Sequence, residues 1–181
     1  MKISDRLKTI GDMVDANSSV IDVGCDHAWL DIYLINKNIG ITAIASDVAL
    51  GPLEHAKKNI ASFQMDSMIR VKQGNGLDPL EEDTDTIIIS GMGGKTMVGI
   101  FKNNLPKLAQ IKTILLSPNS DVQLIRTFLS KNSFYLTMEE LVLDHGIIYS
   151  ILKFQKGYKK YQKLELYFGP ILLQKRSPLF Y

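Results

Sequence analysis

The sequence predicts an α/β fold with a mostly parallel sheet of seven strands, an antiparallel last strand and helices on both faces. Short apolar runs rich in β-branched residues alternate with amphipathic stretches at helical spacing, which is the pattern of βα units around a parallel sheet. After residue 132 the pattern changes to two strand-like runs separated by Asp144-His145-Gly146. Such a turn between two strand-like runs predicts an antiparallel hairpin.

The individual elements follow from the same two patterns. An N-terminal helix is predicted over residues 4–14, and Pro52 and Asp121 suit the first turn and the N-cap of later helices. The acidic stretch 81–85 is predicted to be a solvated loop. The predicted parallel strands are 20–23, 41–46, 69–72, 86–90 and 113–116; the helices between them are 28–38, 52–63, 95–104 and 121–131; and the hairpin strands are 135–143 and 147–154.

Length and composition indicate one globular domain. The chain has 181 residues, of which 45% are hydrophobic, and this is enough for one sizeable core. No apolar run reaches the roughly 18 residues of a membrane span, and the polar N-terminus is unlike a signal peptide, so we expect a cytoplasmic protein without a membrane partner. A single cysteine, Cys25, and three scattered histidines give no zinc-like spacing. No structural metal is therefore predicted, and Cys25 is expected to be a small turn residue rather than a nucleophile.

The net charge of +2 conceals an uneven distribution. Residues 1–150 contain 14 basic and 18 acidic residues, whereas residues 151–181 contain 7 basic residues and 1 acidic residue. Lysines interleaved with tyrosines and phenylalanines can contact phosphates and stack on bases. The alternative is a solvated surface with its aromatic rings packed inward. The basic residues of this part are Lys153, Lys156, Lys159, Lys160, Lys163, Lys175 and Arg176.

Glycines and polar side chains follow four successive predicted strands. They are the segment Asp22–Ala28, the pair Ser46-Asp47, the turn Gly74-Asn75-Gly76 and the segment Ser90–Gly94. Asp47 lies 23 residues after Gly24, where an acidic side chain can accept hydrogen bonds from both hydroxyls of a ribose. Each feature alone is common, since Asn-Gly is also an ordinary turn dipeptide. Because the carboxyl ends of parallel strands share one edge, the four together indicate a nucleotide-like cofactor.

Two phosphate-binding patterns are absent. A dinucleotide fingerprint G-x-G-x-x-G does not follow the first strand, and Asp26 would repel a pyrophosphate there. Gly94-Lys95-Thr96 is similar to the end of a nucleotide triphosphate loop, but the pattern needs glycine at the position of Ile89. A cationic cofactor without phosphate, such as S-adenosyl-L-methionine, is favoured instead, because Asp22 and Asp26 can face its sulfonium and ammonium groups.

These residues resemble the bacterial tRNA (adenine-22-N1)-methyltransferase family, and the resemblance spans nearly the whole chain. The most specific match is Asp22-Val-Gly-Cys-Asp-His-Ala-Trp-Leu30. Further matches are Ser4-Asp-Arg-Leu7, Asp47 with Gly51-Pro52, the turn 74–76, Ile89-Ser-Gly-Met-Gly-Gly94, Pro118-Asn119 and Gly169-Pro170. The resemblance implies the class I methyltransferase fold, S-adenosyl-L-methionine as cofactor, tRNA as partner and methyl transfer to N1 of an adenine, adenine 22 in the family.

The resemblance also implies a division of the chain into two parts. Residues 1–157 would form the methyltransferase domain with its N-terminal helix, and residues 158–181 a basic C-terminal extension. The chain differs from family members in two respects. Members usually carry aspartate where this chain has Asn75. They also continue into a C-terminal helical region implicated in holding tRNA, which is expected to be absent here because the chain stops at Tyr181.

Candidate site residues follow from the motifs and from the chemistry. Asp26 is the first catalytic candidate, because a carboxylate can stabilise the adenine as it becomes cationic, and Asn119 is a second, base-orienting candidate. Asp26 could equally cap the helix that follows it. Lys95 and Arg126 are candidate phosphate contacts. The candidate cofactor-binding residues are Asp22, Gly24, Cys25, His27, Ala28, Asp47, Val48, Asn75, Gly76, Gly91 and Met92.

Two other function classes stay open at this point. The chain could be a small-molecule or protein methyltransferase of the same fold, or a noncatalytic module that binds cofactor or RNA. Transfer of a methyl group to tRNA rather than to metabolites would separate the first alternative, and binding without turnover would identify the second. The sequence makes no prediction about the oligomeric state.

Overall fold

One mixed sheet of seven strands organises residues 3–175 and 179, which are the residues described by this computed structural model. The strand order is β3-β2-β1-β4-β5-β7-β6. Strands β1 to β5 are parallel, β7 runs antiparallel to β5, and β6 runs antiparallel to β7. The predicted α/β fold is thereby confirmed. The strands are β1 Ser18–Val23, β2 Gly40–Asp47, β3 Ile69–Gln73, β4 Thr86–Ser90, β5 Thr113–Ser117, β6 Phe134–Asp144 and β7 Ile147–Lys156.

The helices predicted from periodicity are present within a few residues of their expected bounds. A short 3₁₀ helix, Leu105–Ala109, and two C-terminal helices were not predicted, because each is too short to show helical periodicity. The helices of the described chain are α1 Asp5–Asp12, α2 Trp29–Asn36, α3 Leu50–Ser62, α4 Gly94–Asn103, α5 Val122–Lys131, α6 Lys163–Phe168 and α7 Pro170–Lys175.

The helices cover both faces of the sheet because the strand residues alternate between them. On one face, Ile87, Ile89 and their neighbours pack against Met97 and Phe101 of α4 and against α5. On the other face, Ile88 and Leu115 pack with α1 and α2, while the alanines of β2 pack with α2 and α3. This three-layer arrangement leaves the carboxyl ends of the parallel strands open at one edge.

A buried ion pair fixes the C-terminal helices to the domain. Arg126 of α5 and Glu139 of β6 are both buried, with the Arg126 Nε 2.8 Å from the Glu139 Oε1. Arg126 also donates to the carbonyls of Leu166 and Tyr167, and Glu139 accepts from the backbone N–H of Leu172. The interpretation of Arg126 as a phosphate contact is therefore wrong, because its guanidinium is fully used inside the protein. Arg176, the last basic residue of the extension, lies outside the described residues.

We expect Glu139→Ala to lower the free energy of unfolding by about 3–5 kcal/mol, because it leaves the Arg126 charge buried without its partner. Urea denaturation measures this change. The control is Glu54→Ala, which removes a surface ion pair with Lys57 and should leave stability nearly unchanged. Equal stability of the two variants would contradict the structural role of the buried pair.

Candidate active site

The loop between β1 and α2 is a tight turn with an unfavourable backbone. The N–H groups of Gly24 and Cys25 both donate to the Ser46 carbonyl at the end of β2, at 2.8 and 3.0 Å. Asp26 and Ala28 have φ values of 51° and 58°, in the left-handed region that side chains other than glycine rarely adopt. Such conformations cost free energy and cluster at functional sites. The loop is therefore held in a strained shape by its neighbours.

Asp26 projects from this strained turn. Its side chain is 73% exposed, and the His27 Nε2 lies 3.6 Å from its carboxylate. The N-cap residue of α2 is Ala28, and no side chain caps that helix. The interpretation of Asp26 as a helix cap is therefore wrong. Its carboxylate is left available to a ligand at the carboxyl edge of the sheet.

The flanking residues of the turn are well ordered by contacts. The His27 ring stacks on the His55 ring of α3 with 5.0 Å between the centroids, and the Asn59 side chain donates to the His27 carbonyl. Cys25 is buried, and burial, assisted by Asp31, raises the pKa of its thiol far above the ordinary value. A thiol held in its neutral form is a poor nucleophile.

The predicted site residues lie along one edge, but they do not line one cavity. Asp47 is the last residue of β2 and Val48 follows it, and the Asp47 carboxylate accepts from the Ala49 N–H at 2.9 Å. Ala28 is fully buried behind the turn. Asn75 and Gly76 line a separate cavity of about 420 Å³ against α4. The candidates that share a cavity of about 270 Å³ are Asp22, Gly24, Cys25, Asp26, His27 and Gly91.

The glycine-rich segment after β4 is joined to the loop that carries Asn119. The Asn119 N–H donates to the Met92 carbonyl at 2.9 Å, and its side-chain amide donates to the Gly91 carbonyl at 2.6 Å. Among the described residues the amide oxygen of Asn119 has no partner, so it can accept a bond from a ligand. The Met92 methyl lies 2.7 Å from where a Cβ on Gly24 would stand, so Met92 covers the turn after β1.

Two buried carboxyl groups lie next to this cavity. Asp22 is buried, and its Oδ1 has no hydrogen-bond partner among the described residues. Burial, followed by the charge of Asp47, raises the pKa of Asp22 to about 7. Asp31 is completely buried with both oxygens unpartnered in the described part of the chain, and burial and the nearby Asp22 raise its pKa well above the ordinary value. A cation entering the cavity would offset the cost of ionising these groups.

Several residues that line the cavity were not among the candidate site residues predicted from the sequence. Arg6 of α1 lines the cavity, and its guanidinium stacks over the Tyr149 ring of β7, 4.4 Å from the centroid. Asp31 is buried and is not one of the lining residues, but its position as a single acidic residue in the apolar run of α2 is a sequence signal for a special role. The other unassigned lining residues are Leu7, Trp29, Leu30 and Ser90.

Residues 3–175 and 179 contain neither a metal-binding cluster nor a membrane-spanning helix. No group of three or more histidine, cysteine, aspartate or glutamate side chains in that range is arranged to hold a metal ion. No helix in the same range has the length and apolar character needed to cross a membrane.

The chain is similar to known methyltransferases both in a family model and in a relative of known name. A family model described as a methyltransferase domain matches residues 3–152. The tRNA (adenine(22)-N(1))-methyltransferase of Bacillus subtilis is 29% identical over 187 residues, covering 99% of this chain and 79% of that protein.

Two solved structures add cofactor complexes to the comparison. A Streptococcus pneumoniae protein in complex with S-adenosyl-L-methionine is 34% identical, with a TM-score of 0.95 over 99% of this chain and 85% of that one. M. capricolum TrmK in complex with S-adenosyl-homocysteine is 25% identical, with a TM-score of 0.85 over 92% of this chain and 75% of that one.

Gly94 is a position where the site geometry can be tested through stability. A Cβ at Gly94 would lie 2.6 Å from the Asp121 carbonyl and 2.7 Å from the Ser120 carbonyl, so Gly94→Ala must displace the loop that carries Asn119. We expect a loss of about 1–3 kcal/mol in the free energy of unfolding, measured by urea denaturation.

The matched control is Gly99→Ala in the same helix, where a Cβ would meet nothing within 4 Å. This change should raise stability by about 0.5–1 kcal/mol, because alanine is favoured over glycine inside a helix. A stabilising effect of both substitutions would refute the close packing at Gly94.

Proposed function

The chain belongs to the methyltransferase-domain family that includes the tRNA (adenine(22)-N(1))-methyltransferases, and we propose that it transfers a methyl group to N1 of adenine 22 in tRNA. The methyl donor is S-adenosyl-L-methionine. We assign residues 1–157 to the catalytic domain and residues 158–181 to an extension that contacts the tRNA. We also place the activity in the cytoplasm, where bacterial tRNA is found.

The observation that carries the proposal is the pair of buried, unpartnered carboxyl groups beside the cavity, Asp22 and Asp31. Uncompensated buried carboxyl groups disfavour a phosphorylated ligand and favour a cationic one. S-Adenosyl-L-methionine fits this donor set, and when bound it supplies an activated methyl group on a cationic sulfur. Asp22 and the turn 24–28 would hold its charged end.

The remaining cofactor contacts follow the strand ends. Asp47 would accept hydrogen bonds from the ribose hydroxyls, with Val48 beside the adenine ring. Asn75 and Gly76 would meet the edge of that ring. Gly91 and Met92 would cover the cofactor from the side of β4, which is supported by the position of Met92 across Gly24.

The substrate adenine needs positioning more than chemical activation, because N1 already carries a lone pair. The base becomes cationic as the methyl group arrives, and the exposed carboxylate of Asp26 would stabilise this charge and bind the exocyclic amine. The free amide oxygen of Asn119 would orient the base from the opposite side of the glycine-rich segment.

Exposed cations near α4, α5 and α6 support an RNA partner. Lys95, Lys102 and Lys131 surround a groove of about 400 Å³ between α4 and α5, and no acidic residue lines it. In the C-terminal extension, Lys159, Lys160 and Lys163 are exposed, and none of them pairs with a carboxylate in the described part of the chain. Phosphates are the natural partners of such cations.

Some aromatic residues of the extension are exposed and others pack inward, which are the two alternatives that the sequence left open. Tyr158, Tyr167 and Phe168 are exposed and can stack on bases. Tyr161 packs against the core and donates its hydroxyl proton to the Leu136 carbonyl. Lys153 is buried and pairs with the half-exposed Asp15, so it contributes no free charge to an RNA surface.

Mass spectrometry of tRNA after incubation with labelled S-adenosyl-L-methionine tests the activity. We expect 1-methyladenosine with the native protein and, for Asp26→Asn, a fall of about 10²–10³-fold in the transfer rate with cofactor affinity retained, because charge stabilisation acts in the transition state. Asp66→Asn, an exposed aspartate before β3, is the matched control and should retain the rate.

Three outcomes would contradict the proposal in different ways. Label on metabolites or proteins but not on tRNA would indicate a methyltransferase of another substrate class. Cofactor binding without transfer to any acceptor would indicate a noncatalytic module. A native rate in Asp26→Asn would remove Asp26 from the mechanism.

Cofactor binding should depend on pH through Asp22. Its pKa of about 7 in the free protein lies above the ordinary value, so this carboxyl lowers the free energy of unfolding as pH rises from about 4 to 7. A cationic ligand favours the ionised form, so affinity should rise from pH 6 to pH 8, and binding near pH 6 should release a proton.

Calorimetry in buffers of different ionisation enthalpy measures this proton release. Asp22→Asn should bind more weakly and release no proton, while Asp66→Asn should match the native protein. Equal affinity at pH 6 and pH 8 without proton release would contradict the ionisation of Asp22 on binding.

A further inference from the structure

The β6–β7 hairpin extends beyond the rest of the sheet on the side of the cavity. Leu116 of β5 pairs with Leu152 of β7, and continuing this register places Ile151 opposite Ser117, the last residue of β5. Residues 147–150 therefore lie past the carboxyl end of β5. At about 3.4 Å per residue, these four residues project the hairpin roughly 14 Å past that edge.

The hairpin tip, residues 143–148, presents apolar side chains to solvent. Leu143, Ile147 and Ile148 are 54%, 55% and 50% exposed. His145 and Gly146 form the turn with φ values of 49° and 80°, the signs required by the tight type I′ turn of two-residue hairpins. Asp144 and Ile147 still pair across the hairpin, so the tip is a regular ladder up to its turn.

Contacts with the rest of the domain fix the base of this hairpin. Ile151 and Val142 pack into the cluster formed by α1, α2 and the sheet. Tyr149 stacks under Arg6, which lines the same cavity as Asp26. Glu140, further down β6, pairs with Lys175 of α7. The tip therefore stands on a fixed support at the carboxyl edge of the sheet, and Arg6 links the base of the hairpin to the cavity.

We propose that the hairpin tip inserts into the RNA stack beside the target adenine and holds that base extruded, with N1 facing the cavity. The inference rests on the proposed function. N1 of a paired adenine is occupied by its partner, so the base must leave the duplex or the stack before it can react. Aliphatic side chains that wedge between bases fill the space left behind.

The size of the tip favours RNA bases over a protein partner. A stable protein interface buries about 800 Å² on each partner, and three aliphatic side chains on one turn provide much less. A wedge between stacked bases needs only one or two such side chains. The tip also projects from the same carboxyl edge of the sheet as the reactive cavity, to which its base is linked through Arg6 stacked on Tyr149.

The test compares a folded RNA with an unstructured one. The double variant Ile147→Ser with Ile148→Ser should lose about 10- to 100-fold in kcat/KM on folded tRNA, because it no longer offsets the cost of unstacking the adenine. On a short unstructured RNA with one adenine between pyrimidines, it should stay within about twofold of the native protein, since no unstacking is needed there.

A fluorescent base reports extrusion directly. With 2-aminopurine at the target position of the tRNA, the native protein should raise the fluorescence and the double variant should not. The matched control is Ile41→Ser. Ile41 is equally exposed (57%) but lies near the start of β2, at the amino ends of the parallel strands, so this variant should leave kcat/KM and fluorescence unchanged. Calorimetry with S-adenosyl-L-methionine confirms that each variant is folded.

The possible results separate this inference from the function on which it rests. Equal losses on both RNAs, or no loss on either, would overturn the wedge while leaving methyl transfer intact. A native protein that dimerises in sedimentation, with a monomeric double variant, would assign the tip to an interface between copies and also overturn the wedge. Native protein that methylates neither RNA would overturn the proposed function and the wedge together.

Discussion

The in-register pairing of five parallel strands is the constraint that determines where the chemistry of this protein can be. In three of the turns after these strands, a glycine N–H donates to a carbonyl at the end of a neighbouring strand: Gly74 to Asp47, Gly24 to Ser46, and Gly91 to Ser117. These bonds tie the turns after β1 and β3 to the end of β2, and the turn after β4 to the end of β5, while the pairing of β1 with β4 joins the two groups. Gly24 and Gly91 do this with φ near 79°, which other residues adopt only with strain.

Two carboxyl groups near this row of strand ends are costly to ionise in the free protein, and a cationic ligand can lower that cost. Asp22 interrupts the buried apolar run 20–23 of β1, and Asp31 stands inside the apolar run of α2. Neither carboxyl group has a cationic partner among the described residues, and burial raises the pKa of both. Their desolvation lowers the stability of the free protein, in keeping with the general tendency of binding sites to retain unfavourable groups. A cationic methyl donor is the ligand whose binding relieves that cost.

The sequence predicted the elements that are determined by nearby residues. It did not predict the elements that depend on contacts between residues far apart in the chain. The parallel strands and the hairpin follow from apolar runs and turn residues, and the row of site residues follows from strand ends. Helices α6 and α7 are six residues each and depend on the buried pair of Arg126 and Glu139, which no periodicity reveals. Because Arg126 pairs with Glu139 inside the protein, its prediction as a phosphate contact was wrong. The stacking of Arg6 on Tyr149 joins residues far apart in the chain, so the match at Ser4–Leu7 did not by itself predict that Arg6 lines the cavity.

Strand β6 joins the two surfaces that would meet the RNA. Its lower part carries Glu139 and Glu140, which bind α7 through the Leu172 N–H and through Lys175, and its upper part forms one side of the hairpin tip. Arg126 holds the carbonyls at the end of α6, so the exposed lysines and aromatic rings of the extension are fixed relative to the same strand. A β-ladder does not stretch between these points, because the pairing of β6 with β7 is regular from Met138 to Asp144, beyond the register shift near Leu136. RNA bound to the extension would therefore present its target base at a fixed distance from the hairpin tip. The selection of one adenine would then follow from geometry, even though the proposed contacts of Asp26 and Asn119 would be with the base alone.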